Sequence, residues 1–442
     1  MIGRLKQLLK TNKSLSLISS GTAAVFGLFT FGLLARYFSP AELGYWGLFL
    51  SIFTLFDMLR SGLISSAMIK KINEYDTEEE VKVVIGSGWK LSLIITAVGS
   101  LIITLIFLII YLFNKDSYFI TFAIWFIPTS FLSLPHSMST WILNAYVKFA
   151  KIVWVRFLLQ FGFLIGVIIF SQIEAGVEFV IIAYLISNFL PGLLATIKGW
   201  NKLLYWNEGT KEMDKSLFNF GKYSMGSMIG SNLLRSSDSY LIFAFLGPAA
   251  QGIYSVAEKI VGLFDIPLRA FVGIAFPQMA KKYSLKMYDE FQDEFERDAG
   301  FSTILLLPIS ILAFIFSEQL VLWLGGPEYL EAANIVRIFA IYTALTPLDR
   351  FSGIALDVVN RPDLNFWKVL IMLSANVVGD ISVLYFTQDI FWVAFVSIFT
   401  FAIGIAIGFI FLKGKLPFRF FIIMSKGFNE GLRLVKKYVG NS

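Results

Sequence analysis

Residues 91–113 and 391–412 each run without a single charged side chain, and a helix needs about 20 apolar residues to cross the roughly 30 Å hydrocarbon core of a bilayer. In lipid a backbone must satisfy its own hydrogen bonds, so such runs fold as helices unless they alternate into a closed barrel. Barrel strands would show apolar and polar residues in turn over about 10 positions, and no sustained alternation of that kind is present. Charged residues make up only 15% of the chain, against roughly 25% in a soluble domain. Hydropathy predicts twelve spans, at 15–36, 41–69, 83–113, 118–146, 152–170, 177–198, 217–246, 250–280, 299–324, 332–359, 364–386 and 391–412. The expected class is an all-α integral membrane protein.

A second feature organises those spans into halves. Residues 36–58, RYFSPAELGYWGLFLSIFTLFDM, recur at 244–266 as AFLGPAAQGIYSVAEKIVGLFDI, with no gap and a constant shift of 208 positions. Pro40, Ala41 and Gly44 fall on Pro248, Ala249 and Gly252, and the triplet Leu55, Phe56, Asp57 falls on Leu263, Phe264, Asp265. Six spans lie in each half, and an even number gives both halves the same orientation. The implied arrangement is two six-helix lobes related by a pseudo-two-fold axis along the membrane normal. The expected division is an interfacial segment at 1–14, an N-terminal lobe at 15–198, a linker at 199–216, a C-terminal lobe at 217–412 and an interfacial tail at 413–442.

Basic residues orient this arrangement. Of 37 Lys and Arg, 25 lie in the termini and in alternate loops, whereas the opposite loops and their edges hold only Arg36 and Lys115. The positive-inside rule then places both termini in the cytoplasm. The first thirteen residues set Leu5, Leu8 and Leu9 against Lys6, Lys10 and Lys13. They lack a signal peptide's apolar core with a small-residue cleavage site, and a surface-lying segment is expected there. The tail beyond Pro417 mixes apolar and basic residues in the same way and should meet anionic lipid. The chain has no cysteine, which excludes disulfides, thiolate metal sites and cysteine nucleophiles. No metal, cofactor or nucleic acid is expected.

The run 34–48, LARYFSPAELGYWGL, the acid of the LFD triplet and the basic loop after the second span together resemble the opening of polysaccharide-biosynthesis membrane proteins. These are Wzx-type flippases of the multidrug/oligosaccharidyl-lipid/polysaccharide exporter superfamily. The resemblance implies export of a lipid-linked oligosaccharide, usually on undecaprenyl diphosphate, from the inner to the outer leaflet of a bacterial plasma membrane. The product would be a surface polysaccharide such as O-antigen, lipopolysaccharide or capsule. It further implies two lobes with alternating access, a central cleft lined by spans one, two, seven and eight, and partners that include membrane lipid, a polysaccharide polymerase and assembly proteins.

Ionisable residues at membrane depth cost at least about 2.5 kcal/mol, so they should pair or face a water-filled cavity. Span two carries Asp57 and Arg60, span seven Arg235 and Asp238, and span eight Glu258, Lys259, Asp265 and Arg269. Arg60, Arg235 and Arg269, with Lys259 as a weaker member, are the expected cations for a diphosphate or acidic sugar, because a guanidinium binds phosphate oxygens in pairs. The acids Asp57, Asp238, Glu258 and Asp265 stand as ion-coupling or structural groups. The alternative reading makes each pair a local bridge, Arg235 with Asp238 and Asp265 with Arg269 included. Asp349, Arg350 and Asp380 form a peripheral site or pack the bundle, and His136, the only histidine, is expected to be a packing residue.

Two other functions compete. A multidrug or cation antiporter would share the fold but would rely on acids rather than arginines. A membrane glycosyltransferase or polymerase would need a sizeable outer loop carrying catalytic groups, and the outer loops here are short. The expectation is a transporter and not an enzyme.

Overall fold

The computed structural model describes residues 12–173, 176–417 and 419–439, and these are almost entirely helical, with no strand among them. The basic segment expected at 1–14 falls largely outside the described residues. In chain order the helices are α1 (Asn12–Tyr37), α2 (Pro40–Glu74), α3 (Glu78–Asn114), α4 (Ser117–Ala145), α5 (Phe149–Ile173), α6 (Val177–Ile197), α7 (Lys211–Leu246), α8 (Pro248–Gly262), α9 (Asp265–Ser284), α10 (Tyr288–Ile315), α11 (Ser317–Leu324), α12 (Ala332–Thr343), α13 (Thr346–Val358), α14 (Pro362–Thr387), α15 (Ile390–Phe411) and α16 (Phe420–Val439).

Each of the twelve expected spans falls on helix. Eight helices, α2 to α6, α10, α14 and α15, are long and apolar enough to cross a membrane, and the α8–α9 pair makes a ninth if it counts as one span bent by 43°. This is a multi-pass membrane protein. The remaining passages depart from the hydropathic ideal for identifiable reasons. Helix α7 is rich in Ser, Asn and Gly and carries Arg235 and Asp238. Helices α12 and α13 are each short, separated at Ala344–Leu345 just ahead of Pro347.

The chain forms two compact units, 1–232 and 233–442. The division falls inside α7, not in the polar stretch 199–216 where the sequence suggested a linker. That stretch is docked: Trp89 Nε1 donates to the Asn201 carbonyl at 2.9 Å, Ser87 Oγ to the Thr210 carbonyl at 3.3 Å, and Lys90 pairs with Asp214 at 2.6 Å. The first half of α7 then lies on α2 so closely that a Cβ at Gly221 would sit 1.7 Å from the Leu63 carbonyl oxygen.

Within unit 1, α1 packs along α5, α5 along α6, α6 along α4, and α4 against both α3 and α2. Helix α2 starts at a capping box, Ser39 accepting from the Glu42 amide and Glu42 from the Ser39 amide, with Pro40 at the first helical position, an arrangement that satisfies amides left free at a helix start. One end of the unit is filled by Phe49, Phe107, Phe122 and Phe126 in edge-on or tilted contact. The other is filled by Met68, Ile85, Trp89 and Met138.

Within unit 2, α8 packs on α12, α12 on α10 and α15, and α15 on α13 and α14. The second copy of the repeat differs from the first. Helix α2 runs unbroken through its LFD triplet, whereas α8 ends at Gly262 and α9 starts at Asp265. Pro267, which stands where the first copy has Leu59, has no N–H for the Leu263 carbonyl, so the helix cannot continue regularly through this turn.

The polar stretch 281–298, expected as a loop, is helical from Tyr288 onward. Its charges are internally paired: Lys282 and Arg297 hold the buried Glu294 at 2.5 and 3.3 Å. The tail helix α16 docks along α10, where Lys426 bridges Asp293 and Glu296, each at 2.7 Å. Gly300 and Gly427 make that approach possible, since a Cβ on Gly300 would lie 1.9 Å from the Ile423 carbonyl oxygen. Phe421 and Phe428 of α16 remain exposed, as an interfacial helix requires.

Candidate functional site: charged groups at membrane depth

Asp57 and Arg60 lie one turn apart near the middle of α2, and the expected pair forms, Arg60 Nη2 to Asp57 Oδ1 at 2.5 Å. Arg60 is 0% exposed. Its Nη1 donates to Thr96 Oγ1 at 3.2 Å and to the Ser130 carbonyl at 3.1 Å, and its Nη2 also donates to Ser133 Oγ at 3.1 Å and Ser137 Oγ at 3.3 Å. Small hydroxylated residues on α3 and α4 thus replace the hydration of the guanidinium. This geometry supports the bridging role among the two readings of Arg60, while Asp57, at 39% side-chain exposure, stays open to a cavity of about 290 Å³.

In unit 2 the arginines behave differently. Arg235 and Arg269, with side chains 58% and 61% exposed, both approach Asp265 Oδ2, at 3.7 and 3.5 Å. The pairing of Arg235 with Asp238 suggested by their spacing does not form, because Asp238 faces inward on α7 and is taken by other partners. Tyr254 donates to Asp238 Oδ2 at 2.7 Å and Asn376 Nδ2 to Asp238 Oδ1 at 2.6 Å. Glu258 accepts from Ser239 Oγ at 3.1 Å, and Lys259 is half-buried on α8.

The Asp238 network contains groups that sequence reasoning did not combine. Asn376 Nδ2 also donates to Asp380 Oδ2 at 2.8 Å, and Thr400 donates to Asn376 Oδ1 at 2.9 Å. Asp380 Oδ1 has no hydrogen-bond partner, and Asp380 is fully buried. Two carboxylates therefore share one amide, and no basic side chain pairs with either among the described residues. Asn376 and Asp380, four apart in an otherwise apolar run, were the available signal. Such an oxygen cluster requires a compensating positive charge, either a proton shared by the acids or a hard cation held by oxygens.

Asp349 also finds a partner that its neighbour Arg350 only imitates in sequence. It pairs with the buried Lys368 of α14 at 2.7 Å, and Lys368 further donates to the Asp349 carbonyl at 2.7 Å and Ser352 Oγ at 2.9 Å. This fastens α13 to α14. His136 lines the same cavity as Asp57, together with Arg156 and Gln160 of α5, which the sequence did not single out.

Helices at membrane length with ionisable groups held among them define a multi-pass membrane protein with buried charge, and its fold has solved counterparts. The structure is similar to the lipid II flippase MurJ in an inward closed conformation, with a TM-score of 0.73 at 16% identity over 96% of this chain and 92% of that one. It is equally similar to a multidrug resistance MATE family transporter of the MOP superfamily in an inward-facing conformation, again 0.73 at 16% identity, over 88% and 93%. The chain belongs to the polysaccharide biosynthesis protein family, whose profile matches residues 33–334.

Among curated relatives, the probable low-salt glycan biosynthesis flippase Agl15 of Haloferax volcanii is 24% identical over 44% of this chain and 42% of its own length. The teichuronic acid biosynthesis protein TuaB of Bacillus subtilis is 29% identical over 42% of this chain and 39% of its own length. The chain matches about two fifths of the length of these relatives.

Proposed function

We propose that the protein is a flippase that carries a lipid-linked oligosaccharide, on a carrier of the undecaprenyl-diphosphate type, across a bacterial plasma membrane by alternating access for surface polysaccharide synthesis. Both termini are cytoplasmic in this reading, and a polymerase and assembly proteins act on the exported glycan. The observation that carries it is the pair Arg235 and Arg269, two accessible guanidinium groups at membrane depth sharing one acid. They keep a net positive charge there, which suits an anionic head group. Family membership and the flippase named among the relatives support the same assignment. Asp238, Asn376 and Asp380 take up the driving cation or proton.

A multidrug or cation antiporter is the second reading, favoured by the MATE likeness and the uncompensated Asp238–Asp380 cluster. Deleting the gene in its host and following lipid-linked glycan by leaflet-specific labelling separates the two. Accumulation of the glycan on the cytoplasmic face, reversed by the wild-type gene, supports the flippase. Unchanged glycan with increased sensitivity to lipophilic cations supports the antiporter.

A further inference from the structure

Residues 198–210 connect α6 to α7, and the fold clamps them at a fixed depth. The buried Asn201 side chain donates to Thr196 Oγ1 at 2.7 Å and accepts from the Leu203 amide at 3.2 Å, just where a single 3₁₀ turn begins at Leu203–Tyr205. The turn lies on α3, where a Cβ at Gly86 would come within 2.5 Å of the Tyr205 carbonyl oxygen and one at Gly209 within 2.7 Å of the Ser87 amide nitrogen. Gly86 is followed within α3 by the uncharged run that starts at Leu91, about 7.5 Å further along the helix. The interfacial layer on each side of a bilayer's hydrocarbon core is itself about 5–8 Å deep. The connection is therefore held at headgroup level.

At that level it presents apolar groups outward. Leu204 is 91% exposed and Trp206 54% exposed. The last turns of α6 lead to them with exposed Leu190, Leu193 and Ile197, spaced for one face of a helix. Charge at this end of unit 1 is one-sided. Residues 146–151 and 198–210 hold Lys148, Lys151, Lys198 and Lys202 against a single acid, Glu208. The two stretches meet where Lys151 Nζ sits 5.2 Å from the centre of the Trp200 ring, and Lys202 Nζ lies 5.6 Å from that of Tyr205. None of the four lysines pairs with a carboxylate among the described residues. Glu78 and Glu79, at the start of α3, are answered by Lys82 and stand about 10–12 Å farther along the helix from the uncharged run than Gly86 does.

We propose that residues 198–210, together with Lys148 and Lys151, form a docking surface for anionic phospholipid in the leaflet at this end of the molecule. Leu204 and Trp206 enter the bilayer beside the headgroups, as interfacial tryptophans do. The lysines gather lipid phosphates around them, their stems lying along apolar surface and their ammonium groups reaching the headgroups. The depth at which α3 holds the turn favours the leaflet over a protein arriving from the aqueous side. This surface does not depend on what the protein carries.

Because the chain has no cysteine, Leu204→Cys gives a unique thiol at the tip, and Asp76→Cys, ahead of α3, gives a control in water. Each full-length variant is labelled with an environment-sensitive nitrobenzoxadiazole dye in nanodiscs that mix phosphatidylcholine and phosphatidylglycerol. Quenching by iodide is compared with quenching by doxyl-labelled phosphatidylcholine or doxyl-labelled phosphatidylglycerol at equal mole fraction. The dye at position 204 should be shielded from iodide and quenched by both lipids, by phosphatidylglycerol about twofold more strongly, whereas the control should respond to iodide alone. Replacing Lys148, Lys151, Lys198 and Lys202 with Gln should make the two lipids equal quenchers and leave the shielding from iodide in place.

Iodide quenching at position 204 without lipid quenching overturns the docking surface and leaves Leu204 and Trp206 to a partner from solution. Equal quenching by the two lipids with all four lysines present overturns the anionic preference, whether or not the quadruple variant folds. A preference for phosphatidylglycerol that survives in a folded quadruple variant overturns the assignment to these lysines.

Discussion

Arg60 Nη2 and Asp57 Oδ1 stand 2.5 Å apart on one turn of α2, yet the arginine is fully enclosed while the acid opens onto a cavity. Arg60 is therefore a bridge among α2, α3 and α4. Arg60→Ala strands the acceptors of five hydrogen bonds and should cost roughly 3 kcal/mol, read as a lower thermal midpoint and less protein in the membrane. Arg60→Lys should recover only part of this, since an ammonium offers three N–H donors against the five hydrogen bonds that the guanidinium makes. Normal stability in Arg60→Ala would contradict the bridging role.

Arg235 and Arg269 predict the opposite phenotype. Both are accessible and both lean on Asp265, so alanine at either should leave the protein level unchanged and reduce glycan export by roughly tenfold, or about 1.4 kcal/mol. The double variant should be inactive. Export by the double variant at the wild-type rate and expression level would place the anion site elsewhere.

The Asp238–Asn376–Asp380 network predicts a cation-dependent stability. Wild-type protein should shift its thermal midpoint when sodium replaces potassium, or when pH is lowered, because one of these ions supplies the missing positive charge. Asp380→Asn removes the need for that charge without changing shape. It should flatten the dependence and abolish uphill export. A variant that keeps the full ion response would refute the assignment.

Docking of α16 depends on the contact between Gly300 and Gly427. Gly427→Leu inserts a side chain where a Cβ already meets the Gly300 carbonyl carbon at 2.1 Å, and should release α16, making α16 itself more susceptible to limited proteolysis. Lys426→Ala, which removes two ion pairs but no backbone contact, should have a much smaller effect. Equal protease resistance in Gly427→Leu and the wild type would show that the tail is held by other means.

Orientation can be tested on one helix. Asp76 precedes α3 and Asn114 ends it, so single cysteines at these positions report opposite faces. An impermeant reagent should label Asn114→Cys and not Asp76→Cys in intact cells, as the bias of basic residues demands. The reverse pattern would invert the topology.

The helices were legible because an apolar segment of membrane-spanning length is a local signal, carried by neighbouring residues alone. The partners of charged residues were not. Spacing pairs Arg235 with Asp238, but that rests only on their neighbouring positions. Tyr254 and Asn376, 16 and 138 positions away from Asp238, decide the matter through tertiary packing. Lys368 was hidden for the same reason, since its acid is 19 residues upstream on another helix. The bend beside Pro267 follows from proline chemistry, and the break between Gly262 and Asp265 gives it a place.

That break makes duplicated acids electrically unlike. Asp57 sits inside a continuous helix, where peptide dipoles pass it by and a single guanidinium balances it. Asp265 is the first residue of a new helix, at the positive end of its dipole, and two arginines add to that. An interruption of two residues has thus converted one copy of an inherited motif from a neutral joint into a local surplus of positive potential, with no change in the acid itself.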